Sequence, residues 1–198
     1  TGGMFAVLIL GFRRAAFSNE AGIGSSAIAH ATVKTDEPLT QGFVAMLEPF
    51  IDTVVICTIT ALVIILTVYD PVLLNEGTIR GVELTSSAFA SVIPWFPNVL
   101  AVVVILFAYS TMISWSYYGL EGFVYFFGSK RPTKMLFNTL FCLFVVIGCT
   151  VKLDAVLDFS DSMIFAMALA NMLALYLLGP NVKRELDVYW AKIKNSTQ

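Results

Sequence analysis

Charge is what this chain has least of. Asp, Glu, Lys and Arg make up only 13% of its 198 residues, against about 25% in a soluble domain. With 58% hydrophobic residues and a mean hydropathy of +0.81, a water-soluble globule is excluded, because so few polar groups cannot cover the apolar remainder. A basic surplus is missing too. The net charge is −2 and the sequence pI is near 5.3, so the chain lacks the footprint that nucleic acid requires of a partner. Histidine occurs once, as His30, and cysteine at Cys57, Cys142 and Cys149 alone. None has metal-ligand spacing, and the cysteines lie inside apolar runs, where they read as small buried hydrophobes. Neither a metal centre built on them, nor a disulfide framework, nor a cofactor is expected. A nucleophile paired with a base is also lacking, which argues against an enzyme.

Long apolar runs are what the chain has in abundance. At about 20 residues per crossing, they predict an all-α integral membrane protein with spans over residues 4–31, 43–68, 97–127, 135–151 and 156–178, the last closed by Gly179-Pro180. Residues 1–180 thus form one transmembrane helical unit. The stretch Asp70–Trp95 is too polar to span, and ELTSSAFASVI within it reads as a short surface helix. Residues 181–198, containing VKRELDVYWAKIKNSTQ, form an amphipathic tail suited to the headgroup layer, with Tyr189 and Trp190 as anchors; a frayed solvated end is the alternative.

Basic residues orient these spans. Lys34, Lys130, Arg131, Lys134, Lys183, Arg184, Lys192 and Lys194 fall on one side, and Arg80 and Lys152 on the other. The richer side is expected to be cytoplasmic, with the C-terminal tail, in a multi-pass protein of the cell membrane. The chain starts Thr-Gly-Gly and enters a span at once, so it reads as part of a longer protein.

The first span is interrupted by FSNEAGIGSSAIAH, Phe17–His30. Helix-breaking sequence at that depth survives where it lines a cavity or binds something, because an unpaired backbone group in hydrocarbon costs several kcal/mol. An unwound stretch from Ser18 to Ser25 offers backbone N–H groups to an anion such as an amino-acid carboxylate, aided by the dipole of the helix resuming near Ser25 or Ser26. Gly22 and Gly24 let the backbone take positive φ, and Ser25 and Ser26 are competent caps. The alternative is a Gly/Ser kink packed on a neighbouring helix. A carboxylate at this depth costs about 2.5–3.5 kcal/mol, so Glu20 needs a reason. It reads as a brace that accepts from nearby backbone N–H groups or pairs with Arg13 or Arg14, rather than as a direct ligand. Glu48 and Asp52, at i and i+4, read as dipole-stabilising residues or as an inner gate paired with Lys34 or Arg131. Asp158 and Asp161, near the start of the fifth span, are read in the same way.

The run GFRRAAFSNEAGIGSSAIAHATVKTDEPLTQGFVAMLEPFIDTVVICTITALVIIL, Gly11–Leu66, closely resembles the signature region of the sodium:alanine (alanine or glycine:cation) symporter family, and FAYSTMISWSYYG with GLEGFVYFFG is similar to that family as well. The resemblance implies a leucine-transporter-like fold of two inverted five-helix repeats. This chain would supply the second repeat and the missing N-terminal repeat would be its partner. It also implies sodium-coupled symport of alanine or glycine, with Phe17, Ser18, Asn19, Gly22, Gly24, Ser25 and Trp115 at the substrate. Phe17 and Trp115 would be pocket walls, although a belt Trp or a lipid-facing Phe is the plainer reading of each. Ser110 and Thr111, with Ser114, look like hydroxyl ligands for sodium, which takes hard oxygen donors; hydroxyls that merely bond back to the i−4 carbonyl are the alternative. A channel or structural subunit with a re-entrant segment is the other function class that such a break permits.

Overall fold

The computed structural model describes residues 3–68 and 81–196, and every regular element among them is helical. They are α1 (Met4–Asn19), α2 (Ser25–His30), α3 (Pro38–Thr67), α4 (Val82–Ala90), α5 (Phe96–Phe127), α6 (Arg131–Gly148) and α7 (Leu153–Ser196). Four of these, α3, α5, α6 and α7, are long and apolar enough to cross a membrane. The first expected span, 4–31, is divided: α1 has 16 residues and α2 has 6, with five residues between them.

Proline sets several boundaries. Pro38 and Pro132 sit in the first turns of α3 and α6, where the missing N–H costs nothing and the fixed φ suits a helix. Pro49 falls inside α3. It cannot donate to the carbonyl one turn back and its ring crowds that carbonyl, and the helix responds by widening into a π-helical stretch over Phe50–Ile56. Asp52 lies within that stretch and Glu48 just before it.

Two sequence expectations are corrected, and the bounds of a third shift. Gly179-Pro180 does not stop the last helix, which runs on to Ser196 over 44 residues. At about 1.5 Å per residue that is on the order of 66 Å, roughly twice the hydrocarbon thickness. The surface helix spans Val82–Ala90, while Asp70, Arg80 and the rest of residues 69–80 lie outside the described residues. The cysteines are not buried: Cys57, Cys142 and Cys149 are free and exposed on their helices.

The chain divides into two compact units, residues 51–117 and the remainder. In the first, the later part of α3 packs on α4, enclosing Ala88, and Phe89 stacks near Phe96 at 4.4 Å between ring centroids. In the other, α1 touches α7, α2 touches the start of α3, and that start touches α7. Phe43 of α3 meets Tyr189 of α7 at 5.9 Å, and Glu37 pairs with Lys192. The far end of α7 is therefore held against the entry to α3. Elsewhere Val, Leu, Ile and Phe side chains point outward along the long helices, an apolar surface far larger than a water-facing protein tolerates.

Candidate functional site

Among the described residues of the larger unit, the buried ones lie at the break between α1 and α2 and on α7. Ile23, Ser25, Asp161 and Ile164 are each at most 4% exposed. The break is narrower than the sequence implied. Ser18 and Asn19 are the last residues of α1, and the irregular stretch is Glu20–Gly24. Three of its five residues are left-handed: Glu20 at φ 54°, Gly22 at 84° and Gly24 at 96°. The glycines adopt these angles without steric cost. Glu20 does not, and a left-handed non-glycine residue costs about 1–2 kcal/mol.

Local hydrogen bonds offset that strain. The Asn19 carboxamide oxygen accepts from the Ala21 N–H at 2.9 Å, closing the end of α1 with its own side chain. The Ile23 N–H donates to the Glu20 carbonyl at 3.4 Å. Across the break, the Ser25 hydroxyl donates to Glu20 Oε2 at 2.5 Å. Ser25 is wholly buried, and Gly24, rather than a serine, occupies the cap position of α2. The expected capping serine is thus committed to the carboxylate instead.

Two expected partners of Glu20 are engaged elsewhere. Arg13 Nη2 lies 2.7 Å and Arg14 Nη2 3.4 Å from Asp161 Oδ2. Asp161 is not a helix-end residue. It sits two turns into α7 and is 3% exposed, which is affordable for a carboxylate only when opposite charge surrounds it. The sequence signal was present: two arginines inside an apolar span require an acid, and Asp161 interrupts another apolar span.

Further residues that the sequence left aside complete the site. Asn171 of α7 donates from Nδ2 to the Gly22 carbonyl at 2.9 Å. His30 at the end of α2 receives the Gln41 amide on Nδ1 at 2.6 Å and faces Glu48 Oε2 through Nε2 at 3.3 Å. With the amide N–H donating to Nδ1, Nε2 carries the proton that reaches Glu48. Glu48 therefore pairs with His30, and neither Lys34 nor Arg131 is its partner. Asn171, His30 and Gln41 border a cavity of about 540 Å³ between the break, α2, the start of α3 and α7, lined also by Gly22, Gly24 and Gly42 among others. Phe17, just before the break, is 38% exposed.

In the other unit, Ser110, Thr111, Ser114 and Trp115 follow one another along little more than a turn of α5. The Ser110 hydroxyl donates to the Phe107 carbonyl at 2.9 Å and that of Ser114 to the Ser110 carbonyl at 3.1 Å. Donation uses the hydrogen and leaves oxygen lone pairs for a cation.

The sodium:alanine symporter family matches the chain along residues 1–198. Sodium/alanine symporter AgcS of Methanococcus maripaludis is 36% identical over 193 residues, covering 96% of this chain and 42% of that protein. Amino-acid carrier protein AlsT of Bacillus subtilis is 34% identical, covering 96% of this chain and 40% of that protein. A probable sodium/glutamine symporter, GlnT, of the same organism is 32% identical, with 95% and 38% covered. The chain thus spans about two fifths of the length of these relatives.

Proposed function

This chain belongs to the sodium:alanine symporter family, and we propose that it contributes one side of the site at which a small neutral amino acid, alanine or glycine, is carried across the cell membrane with sodium. The observation that carries the proposal is the Glu20–Gly24 break, held open by three left-handed residues in an otherwise apolar helix. Backbone irregularity of this kind persists at membrane depth where it faces a cavity or ligand. The relatives, named as symporters of sodium with alanine or glutamine and an amino-acid carrier, point the same way.

Recognition rests on backbone groups more than on a helix dipole. At six residues, α2 is too short to supply much macrodipole, but the N–H groups entering it lack intrahelical acceptors and suit a substrate carboxylate. Ser18, Asn19, Gly22, Gly24 and Ser25 shape that surface, with Phe17 as a wall that limits side-chain size. Glu20 braces the break through Ser25 instead of holding the substrate. Ser110, Thr111 and Ser114 offer oxygens to sodium.

Counting the divided α1–α2 pair as one crossing gives five spans, arranged as the second inverted repeat of a leucine-transporter-like fold. The opposing half of the site then belongs to a first repeat in the part of the relatives' length that this chain does not span. Transport proceeds as one repeat rocks against the other around the mid-membrane site. The Lys and Arg asymmetry supports a cytoplasmic tail.

Proteoliposomes containing the full-length transporter test this reading. An inward sodium gradient is expected to drive saturable, concentrative uptake of labelled alanine. Non-saturable flux indifferent to the gradient would identify a channel and overturn symport.

A further inference from the structure

Two kinds of side chain hold the break in shape, local ones, Asn19, Glu20 and Ser25, and a distant one. The second, Asn171, comes from α7, 149 residues further along the chain. We propose that Asn171 is a positioning residue for the amino-acid site, fixing the backbone that receives the substrate carboxylate; this rests on reading the break as that site.

The geometry is specific. Asn171 Nδ2 holds the Gly22 carbonyl oxygen at 2.9 Å. Because the peptide is planar, a fixed carbonyl also fixes the following N–H, and that N–H, of Ile23, is pinned in turn by the Glu20 carbonyl at 3.4 Å. The peptide between Gly22 and Ile23 is thus restrained at both ends. The same side chain lies flat on the next glycine: a Cβ added to Gly24 would meet Asn171 Oδ1 at 3.1 Å and Asn171 Cβ at 3.3 Å. Gly22, by contrast, has open space where a Cβ would stand. Asn171 therefore clasps one glycine by its carbonyl and covers the other. Gly24 and Ser26, immediately downstream, border the cavity.

A carboxamide in the run MALANMLALYLL is costly in lipid unless it is satisfied, and the Gly22 carbonyl satisfies it. Ordinary helix-to-helix glue would need only any acceptor on a neighbouring helix. Here the acceptor is a carbonyl within the break itself. Loss of Asn171 should accordingly weaken substrate binding selectively, leaving sodium binding and turnover in place.

The test uses the full-length transporter in proteoliposomes, with Asn171→Leu and Asn171→Ala removing the donor and Asn171→Gln keeping one. Labelled alanine uptake is followed under a sodium gradient, and backbone hydrogen exchange is followed at residues 20–25. The donorless variants are expected to raise half-saturating alanine about tenfold, the equivalent of one neutral hydrogen bond. Half-saturating sodium and the maximal rate should stay within about twofold, and Asn171→Gln should recover most of the loss. Exchange at residues 20–25 should quicken by about tenfold. Unchanged half-saturating alanine, or a fall in maximal rate alone, overturns the positioning role. Unchanged exchange shows that Asn171 does not hold the break. Should the unmodified protein show no sodium-driven uptake, the transport reading fails on its own, and the exchange arm still decides whether Asn171 fixes the backbone.

Discussion

Arg13 Nη2 lies 2.7 Å from Asp161 Oδ2, and ten residues further along the same helix Asn171 Nδ2 lies 2.9 Å from the Gly22 carbonyl. One helix, α7, therefore grips the divided first helix twice, once before the break through charge and once within it through a neutral hydrogen bond. The strength of the first grip decides how freely α1 moves, and that of the second decides the shape of the site.

Removing the first grip should destabilise the protein. Asp161→Ala strands two guanidinium groups, each 36–43% exposed, against a site built for a carboxylate. Partial exposure lowers the cost below the 3–5 kcal/mol of a fully buried pair, to about 2 kcal/mol. A double-mutant cycle with Arg13→Gln, read by thermal unfolding in detergent, should give a coupling of about 1–2 kcal/mol. Strictly additive effects would show that the contact is incidental.

Glu20 should tolerate amidation but not truncation. Asn and Gln side chains accept hydrogen bonds as carboxylates do, so Glu20→Gln keeps the contact with Ser25 and should retain more than about half of sodium-driven alanine uptake. Glu20→Ala leaves the buried Ser25 hydroxyl without its acceptor, a cost of about 1–3 kcal/mol, and should lose most uptake. Equal loss in both variants would make the charge itself essential and Glu20 a ligand.

Gly24 should be less replaceable than Gly22. Both have left-handed φ, at 96° and 84°, so alanine strains either by about 1 kcal/mol. At Gly24 the new methyl also meets Asn171 at 3.1 Å, whereas at Gly22 nothing stands within 4 Å. Gly24→Ala should therefore raise half-saturating alanine several-fold more than Gly22→Ala in the same uptake assay. The reverse order would contradict the packing.

Sodium affinity should respond to α5. Ser110→Ala and Thr111→Val remove candidate oxygen donors and are expected to raise half-saturating sodium by about tenfold, with half-saturating alanine changed less when sodium is saturating. If the Ser110 hydroxyl serves only its bond to the Phe107 carbonyl, sodium dependence will not shift.

The break and the presence of apolar helices long enough to cross a membrane were legible in the sequence because they depend on local chemistry. Gly22 and Gly24 advertise a backbone that a helix does not need, and apolar runs advertise crossings. The extent of the break was less legible: Asn19 turned its carboxamide onto Ala21 and kept Ser18 and itself in α1. Partners distant in sequence were harder still. Arg13 and Arg14 demanded an acid, and Glu20 was nearer in sequence than Asp161, but only the packing of α1 on α7 chose between them. Asn171 and His30 gave no local signal, since a lone Asn or His in a helix acquires meaning from what faces it. Gly179-Pro180 misled in the other direction, as α7 passes through both residues.

The most direct test of the central claim is a structure of the full-length transporter with alanine and sodium bound. A carboxylate oxygen of alanine is expected within about 3 Å of backbone N–H groups between Gly24 and Ser26, with Asn171 still on the Gly22 carbonyl. Alanine bound elsewhere, with residues 20–25 untouched or wound into continuous helix, would contradict it.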